Sequence, residues 1–400
     1  MKPIHHEMKN MKQIKKMKRK INQKVVVLTA VILWGTVMPT FATNVHDNFS
    51  LTISQATSRA VQRHRDLRTL SENLQLAEEA FDRAETQRTS LAPLDFQAFI
   101  DGHANAMQAR VDMNQQAIDA RVLRGTIGFI VTNYFAQLYM AQAELNLFDQ
   151  ELALIDSELA ILRALVSVGF ASVLDYELAV MERELVEHNR AHLVNAMEQA
   201  HVRLNRFTGS PLDRRHTLVF DLADKAFEEL VVINMQGMIN HQRQTHASVQ
   251  QARAITDIYL FRLESHAFPV DPLTGEQIIG YFNPLTGQPI PQDTELLAQM
   301  RQASRVTADA RDAIERHLQD QYVAIRRLEQ QIRSLQLASE ELHLQTEILQ
   351  TQLQVGEILP IELERHALAI ARLANELQNS KIQHHIAVMR FRNPDISPYL

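Results

Sequence analysis

Apolar residues recur at Leu138, Ala141, Leu145, Phe148, Leu152, Ile155, Leu159, Leu162 and Val166, in steps that alternate three and four. Four heptads without a miss describe a coiled-coil seam along one helix face. The pattern predicts a helix from Ala104 to Val168, roughly 98 Å long at ~1.5 Å per residue. The seam returns 187 residues later at Ile325, Leu328, Ile332, Leu335, Leu342, Leu349 and Leu353, with Ser339 and Thr346 as polar interruptions. Val168-Gly169 then corresponds to Val355-Gly356, and Asp175 to Glu362; Tyr134 and Tyr322 sit near the start of each seam, one residue out of register. A glycine just past the last seam position is where a left-handed turn ends a helix at little cost. A second, shorter helix is expected after each glycine, over 174–207 and 361–392. The chain thus reads as an internal duplication of one antiparallel helical hairpin.

Gly and Pro are few and clustered, near Pro93 and Gly102, at 209–211, across 269–291, at 356–360 and near Pro394. Between them the chain is rich in Ala, Leu, Gln, Glu and Arg, which lose little side-chain entropy in a helix. The expected organisation is an N-terminal helix in 50–92, a first hairpin in 104–210 and a connector and helix in 211–263. A Pro/Gly-rich loop in 264–293 and a second hairpin in 294–393 complete it. The loop holds a tandem pair, DPLTGEQI at 271–278 and NPLTGQPI at 283–290, which is turn chemistry. One short strand is expected between the copies, at 278–282. The fold class expected is all-α: long antiparallel coiled-coil hairpins in two pseudo-repeats.

The N-terminal segment differs from the rest. A basic stretch to residue 24 precedes 13 largely apolar residues, 25–37, and Thr40 and Ala42 are small. That is the form of a secretory signal over 1–42, cleaved after Ala42; an uncleaved anchor is the alternative, although ~20 residues are needed to span a bilayer. The length of the basic region leaves Met8, Met11 and Met17 open as alternative starts. The segment contains nine Lys/Arg and one Glu, whereas the whole chain has a net charge of −6, so the remainder is strongly acidic. Lys225 and Lys381 are its only lysines. An acidic chain argues against a nucleic-acid partner and against docking on an anionic membrane surface. The absence of cysteine excludes a lipidated cysteine anchor and a thiolate metal site. After the signal no apolar run reaches ~18 residues, so no transmembrane helix is expected.

Several segments together resemble the TolC-like outer-membrane efflux family. Leu51-Thr52-Ile53-Ser54-Gln55-Ala56 with Arg65-Asp66-Leu67 resembles that family's N-terminal equatorial helix. Tyr134 and the heptads up to Val168-Gly169 resemble its long descending helix. Gly169-Phe170-Ala171-Ser172-Val173-Leu174-Asp175 followed by Ala179 resembles its tip consensus, and Arg203-Leu204-Asn205-Arg206-Phe207-Thr208-Gly209 the end of its returning helix. The second copy matches more weakly, with Leu359 in place of the tip serine. The resemblance spans most of 50–393 and implies an exported homotrimer in the cell envelope, at the outer membrane or in the periplasm. By the same resemblance it would be a helical tunnel that docks a periplasmic adaptor and works with an inner-membrane pump.

One departure bears on function. The family inserts two membrane strands in each half. Here the first position, 89–103, is too short for two strands of ~9–11 residues and a loop. The second, 264–293, is long enough but carries five prolines and no alternating apolar face, which argues against membrane strands. An exported, non-conducting coiled-coil scaffold derived from that family is therefore the alternative function.

By resemblance, the tunnel tip and adaptor-docking residues are Val168, Gly169, Ser172, Asp175, Val355, Gly356 and Glu362. In a trimer, Asp175 and Glu362 would give six acidic groups around a narrow mouth and favour cations. The structural alternative is that the glycines are caps and the acids first-turn residues favoured by the helix dipole. His188 and His192 share a helix face, but no acid or cysteine is spaced to complete a metal set, and His384-His385 cannot share a face. No phosphate loop, nucleophile elbow or zinc-helix motif occurs. No enzymatic activity, cofactor or metal is expected.

Overall fold

The computed structural model describes residues 50–90, 96–222, 225–232, 234–267 and 294–396. The expected signal segment, most of the Pro/Gly-rich loop and the short strand expected at 278–282 lie outside them. The described residues form eight helices and two three-residue strands. In chain order these are β1 (Ser50–Thr52), α1 (Ile53–Arg63), α2 (Arg65–Ser90), α3 (Phe96–Ser167), α4 (Val173–Thr208), β2 (Thr217–Val219), α5 (Met235–Thr245), α6 (Ala247–Ala267), α7 (Thr294–Gln354) and α8 (Pro360–Arg392). The all-α class expected from the heptads is what the chain adopts. α3 has 72 residues and α7 has 61, so they span roughly 108 and 92 Å.

Local chemistry sets the ends. Thr52 caps α1: its hydroxyl accepts from Gln55 N at 3.2 Å, and the Gln55 side chain accepts from Thr52 N at 3.2 Å. This reciprocal pair satisfies two donors that the first turn would leave free. α4 ends at Gly209 in the left-handed region, φ 69°. α3 starts eight residues before the expected Ala104, with Gly102 inside it. A helical glycine costs ~1 kcal/mol, but Ile100 and Ala104 beside it are buried and their burial outweighs that. Within 211–263, expected to hold a connector and a helix, helix begins only at Met235. Residues 225–232 are non-helical because Leu230, buried in the core, donates its N–H to Glu329 Oε1 at 2.6 Å.

The seams face inward as their spacing requires. Leu138 and Ile155 are buried and the other seven positions of the first seam are buried or half-buried; in the second, Ile325 and Ile332 are buried. Thr346, a polar step in that seam, lies 3.0 Å from His366 Nε2 on α8, a bond that satisfies both groups. Two apolar cores flank the long helices. One gathers Leu51, Ala56, Ala60, Phe135, Phe220 and Ile382 with Ile127, Val131, Leu138 and Leu204. The other gathers Leu230, Ile239 and Val249 with Ile314, Leu318, Ile325 and Phe391. Ile127 and Ile314, Val131 and Leu318, Leu138 and Ile325, and Leu204 and Phe391 each stand 187 positions apart. In each half a tyrosine of the long helix meets the phenylalanine that closes the returning helix. Tyr134 is 6.0 Å from Phe207, and Tyr322 is 6.2 Å from Phe391.

Side by side, the hairpin helices run in the order α4, α3, α8, α7, while towards the other end α2, α3, α6 and α7 pack in sequence. β1 and β2 pair in parallel, Ser50 against Thr217 and Thr52 against Val219, which ties the connector to the chain's first described residues.

Candidate functional site at the hairpin tips

Both long helices end in the same backbone motif. Phe170 N donates to Leu165 O at 2.9 Å and Gly169 N to Val166 O at 3.1 Å; Glu357 N donates to Gln352 O at 2.9 Å and Gly356 N to Leu353 O at 3.1 Å. This double closure requires a left-handed residue, and the two glycines supply it with φ 78° and 79°. A Cβ placed on either glycine would meet nothing within 4 Å. Both turns are therefore constrained by conformation alone and not by neighbouring atoms.

The returning helices start differently. Ser172 Oγ accepts from Asp175 N at 3.0 Å, and Asp175 Oδ2 accepts from Ser172 N at 3.2 Å, a complete capping box. At the matching place Leu359 has no side chain to cap with, and Pro360, which needs no N–H partner, takes the first position. Asp175 and Glu362, expected as equivalent acids, thus have different roles: one is engaged in a cap, whereas the other is an exposed first-turn acid. Val168, Phe170, Val355 and Leu359 are all exposed, Phe170 at 84%.

Ion pairs fix how the hairpins are levelled. On α4, Arg183 reaches Asp156 of α3 at 2.6 Å and, one heptad on, Arg190 reaches Asp149 at 2.6 Å. On α8, Arg365 reaches Glu158 of α3 at 2.5 Å and Arg372 reaches Glu151 at 2.6 Å. α3 therefore carries two acidic ladders, one towards each neighbour. Exposed ion pairs stabilise by only ~0–1 kcal/mol each, so their contribution is register. Through them the two glycine turns lie at nearly the same height. The ladders were legible in the sequence as Asp-x-Glu at 149–151 and again at 156–158, but heptad reading that follows only apolar positions passes over them.

The outer helices expose apolar stripes. α4 carries Leu174, Leu178, Met181 and Leu185; α7 carries Leu337, Leu344 and Ile348, with Val355 in the turn just beyond it, all exposed. Carried across the ion pairs and the Thr346–His366 contact, Arg183 on α4 is level with Gln345 on α7. Leu344 then falls within one residue of the level of Leu185, Ile348 within one of Met181, and Val355 at that of Val173. Among the described residues, neither stripe is covered by a helix.

Among the described residues no group of three His, Cys, Asp or Glu could hold a metal ion; His188 and His192 are both exposed. No described helix is long and apolar enough to cross a membrane.

No protein-family model matches the sequence, and no curated protein matches it. Solved structures do match. The crystal structure of CusC, a protein that forms a transmembrane channel, aligns with TM-score 0.60 at 14% identity over 90% of this chain and 98% of its own. VceC, an outer membrane protein of Vibrio cholerae, gives 0.57 at 13% over 85% and 95%. The CmeC outer membrane channel of Campylobacter jejuni gives 0.54 at 12% over 87% and 87%. At these identities the likeness is one of fold. The resemblance to TolC-like channels read from the tip and seam motifs holds at that level.

Proposed function

We propose that this chain is a TolC-like export component of the cell envelope. Three copies close a helical tunnel, and its tips dock a periplasmic adaptor that links it to an inner-membrane pump. The observation that carries this reading is the pair of exposed apolar stripes at matching heights on the two outer helices. Helix faces of this kind are buried by a neighbour, and the heights let the α4 stripe of one copy meet the α7 stripe of the next. A contact between two different faces closes as a ring when the rotation permits. The matched cores in the two halves support treating them as copies of one unit, so each chain would contribute two equivalent hairpins. Turns held by backbone conformation, with open space around them, suit a docking surface.

The chain has no cysteine, so a single designed pair tests the assembly. Leu185→Cys with Leu344→Cys should oxidise to a covalent trimer on a non-reducing gel. A product that remains monomeric at all concentrations would remove the tunnel.

A second reading, an exported scaffold that conducts nothing, is favoured by one specific observation. Only residues 91–95 separate α2 from α3, and two membrane strands need about 20 residues. Fractionation separates the readings: an export component sediments with outer membranes, whereas a scaffold stays soluble after the envelope is broken.

A further inference from the structure

We propose that residues 393–396 form a strap that holds the joint between α5 and α6 against α3, a conformational latch between the two halves of the chain. The joint is His246, whose extended backbone (φ −62°, ψ 139°) ends α5 and opens α6. Asp395, just beyond α8, satisfies the start of α6: its Oδ1 accepts from Ala247 N at 3.0 Å. The same oxygen lies 3.2 Å from His246 Nε2, and Oδ2 lies 3.5 Å from Arg121 on α3. His246 Nδ1 accepts from Ser248 N at 3.3 Å, which leaves the proton of the neutral ring on Nε2, facing Asp395. One carboxylate therefore joins the α6 N-terminus, the joint and α3. The next residue adds packing: a Cβ on Gly125 of α3 would stand 3.2 Å from Ile396 Cγ1.

The other half has the joint without the strap. His64 breaks α1 from α2 with the same extended backbone (φ −65°, ψ 118°). Its nearest acid in an ion pair is Asp66 at 4.0 Å, its Nδ1 is buried without a hydrogen-bond partner among the described residues, and its ring rests on Phe207 at 6.2 Å. After α4 the chain turns away through Gly209 towards β2. The joint is thus common to both halves, and the carboxylate clamp is particular to the second. Because α6 packs on both α3 and α7, releasing Asp395 frees the α6 end of that packing while leaving the tip hairpins untouched. The inference stands whether or not the chain forms a tunnel.

Hydrogen exchange on the full chain tests it. Loss of a carboxylate cap is worth about tenfold in the opening of a helix end. Asp395→Ala should speed exchange of the amides of 247–250 by about tenfold, and Asp395→Asn, which keeps an acceptor for Ala247 N, by less. Gly125→Leu, which displaces Ile396 without touching Asp395, should reproduce the signature. Exchange in 150–190 and 340–370 should stay as in the parent chain. Unchanged exchange at 247–250 in both Asp395→Ala and Gly125→Leu would overturn the strap. So would an equal acceleration at the tips, which would make the loss global.

Discussion

Glu329 is the most consequential polar residue outside the tips. It lies on α7 with 3% of its side chain exposed, between Arg326 Nη1 at 2.5 Å, His384 Nε2 at 3.4 Å and Leu230 N at 2.6 Å. His384 is itself buried, with the ring of Phe227 edge-on at 5.1 Å. Glu329→Ala would orphan a buried backbone N–H, at ~1–3 kcal/mol, leave His384 without its carboxylate, and leave Arg326 with only Glu229, 4.0 Å away. Breaking a buried pair from one side costs ~3–5 kcal/mol. The Arg326 side chain is 44% exposed and can turn to water, so the lower end applies, about 3 kcal/mol. Glu329→Gln keeps an acceptor for Leu230 and should cost about 1–2 kcal/mol. The pH dependence has a definite sign. Burial pushes this carboxyl up, but the hydrogen bonds from Arg326, Leu230 N–H and His384 outweigh it and hold the group below the usual carboxylate range. Its stabilisation is then fully present above the unfolded value near ~4.3 and is lost as pH falls through the lower folded value. Urea unfolding followed by circular dichroism should give a constant difference between parent and Glu329→Ala from about pH 5 to 8. A difference below about 0.5 kcal/mol at pH 7, inside the range of ordinary surface substitutions, would refute this account. A difference that had already vanished by about pH 6 would place the folded carboxyl above its unfolded value and refute the sign.

Gly169→Val with Gly356→Val should cost about 1–2 kcal/mol at each left-handed turn and lower the melting temperature by only a few degrees, leaving the chain folded. If the tips dock an adaptor, adaptor crosslinking and export are both lost; full binding by this variant would reduce the tips to plain turns. Leu152→Asp or Leu159→Asp places a charge in the seam between α3 and its neighbours and should lower stability by about 2–4 kcal/mol, read as a fall in urea midpoint. Ser172→Ala should cost about 1 kcal/mol, whereas Leu359→Ser, which sets a serine three residues before Glu362, should gain a few tenths to about 1 kcal/mol by creating the missing capping box. Hydrogen exchange in the first turns of α4 and α8 reads both changes.

The long helices were legible because a heptad repeats its statement over many residues, and one mismatch such as Thr346 does not cancel it. Their ends were less so. Gly102 looks like a break in isolation, yet Ile100 and Ala104 bury their side chains on either side of it, and that burial is a tertiary fact. The start of the helix within 211–263 was illegible for a related reason: residues 225–232 are kept out of it by a bond from Leu230 to Glu329, 99 positions away, which no local window contains. The tip glycines were legible as helix stops by position. That their two turns are the same double closure, and that Asp175 caps while Glu362 does not, required backbone geometry. The outer stripes were in plain view as Leu178, Met181 and Leu185 in steps of three and four. Without the order α4, α3, α8, α7, however, nothing distinguishes an edge stripe from a core stripe.

That order also shows where the chain asks for a partner and where it does not. Near the tips, both edge helices expose rows of large apolar side chains. Towards the other end, the edge formed by α2 is mostly charged and polar, with Leu76 as its exposed leucine, and the start of α7 exposes Arg301 and Arg305 beside Val306. Apolar area removed from water contributes ~25 cal/mol per Å², so a second copy gains most by contact along the tip half and little along the other. Assembly driven in this way would bring the tip halves together first and leave the other end to be completed by whatever joins α2 to α3 and α6 to α7. The first of those joints is five residues long and the second, 268–293, is 26. By length alone the first joint is too short for a pair of membrane strands, whereas the second is not. On the proposed reading the tip half would supply the tunnel wall and docking surface whatever completes the other end, and the five-residue first joint is what favours the scaffold reading.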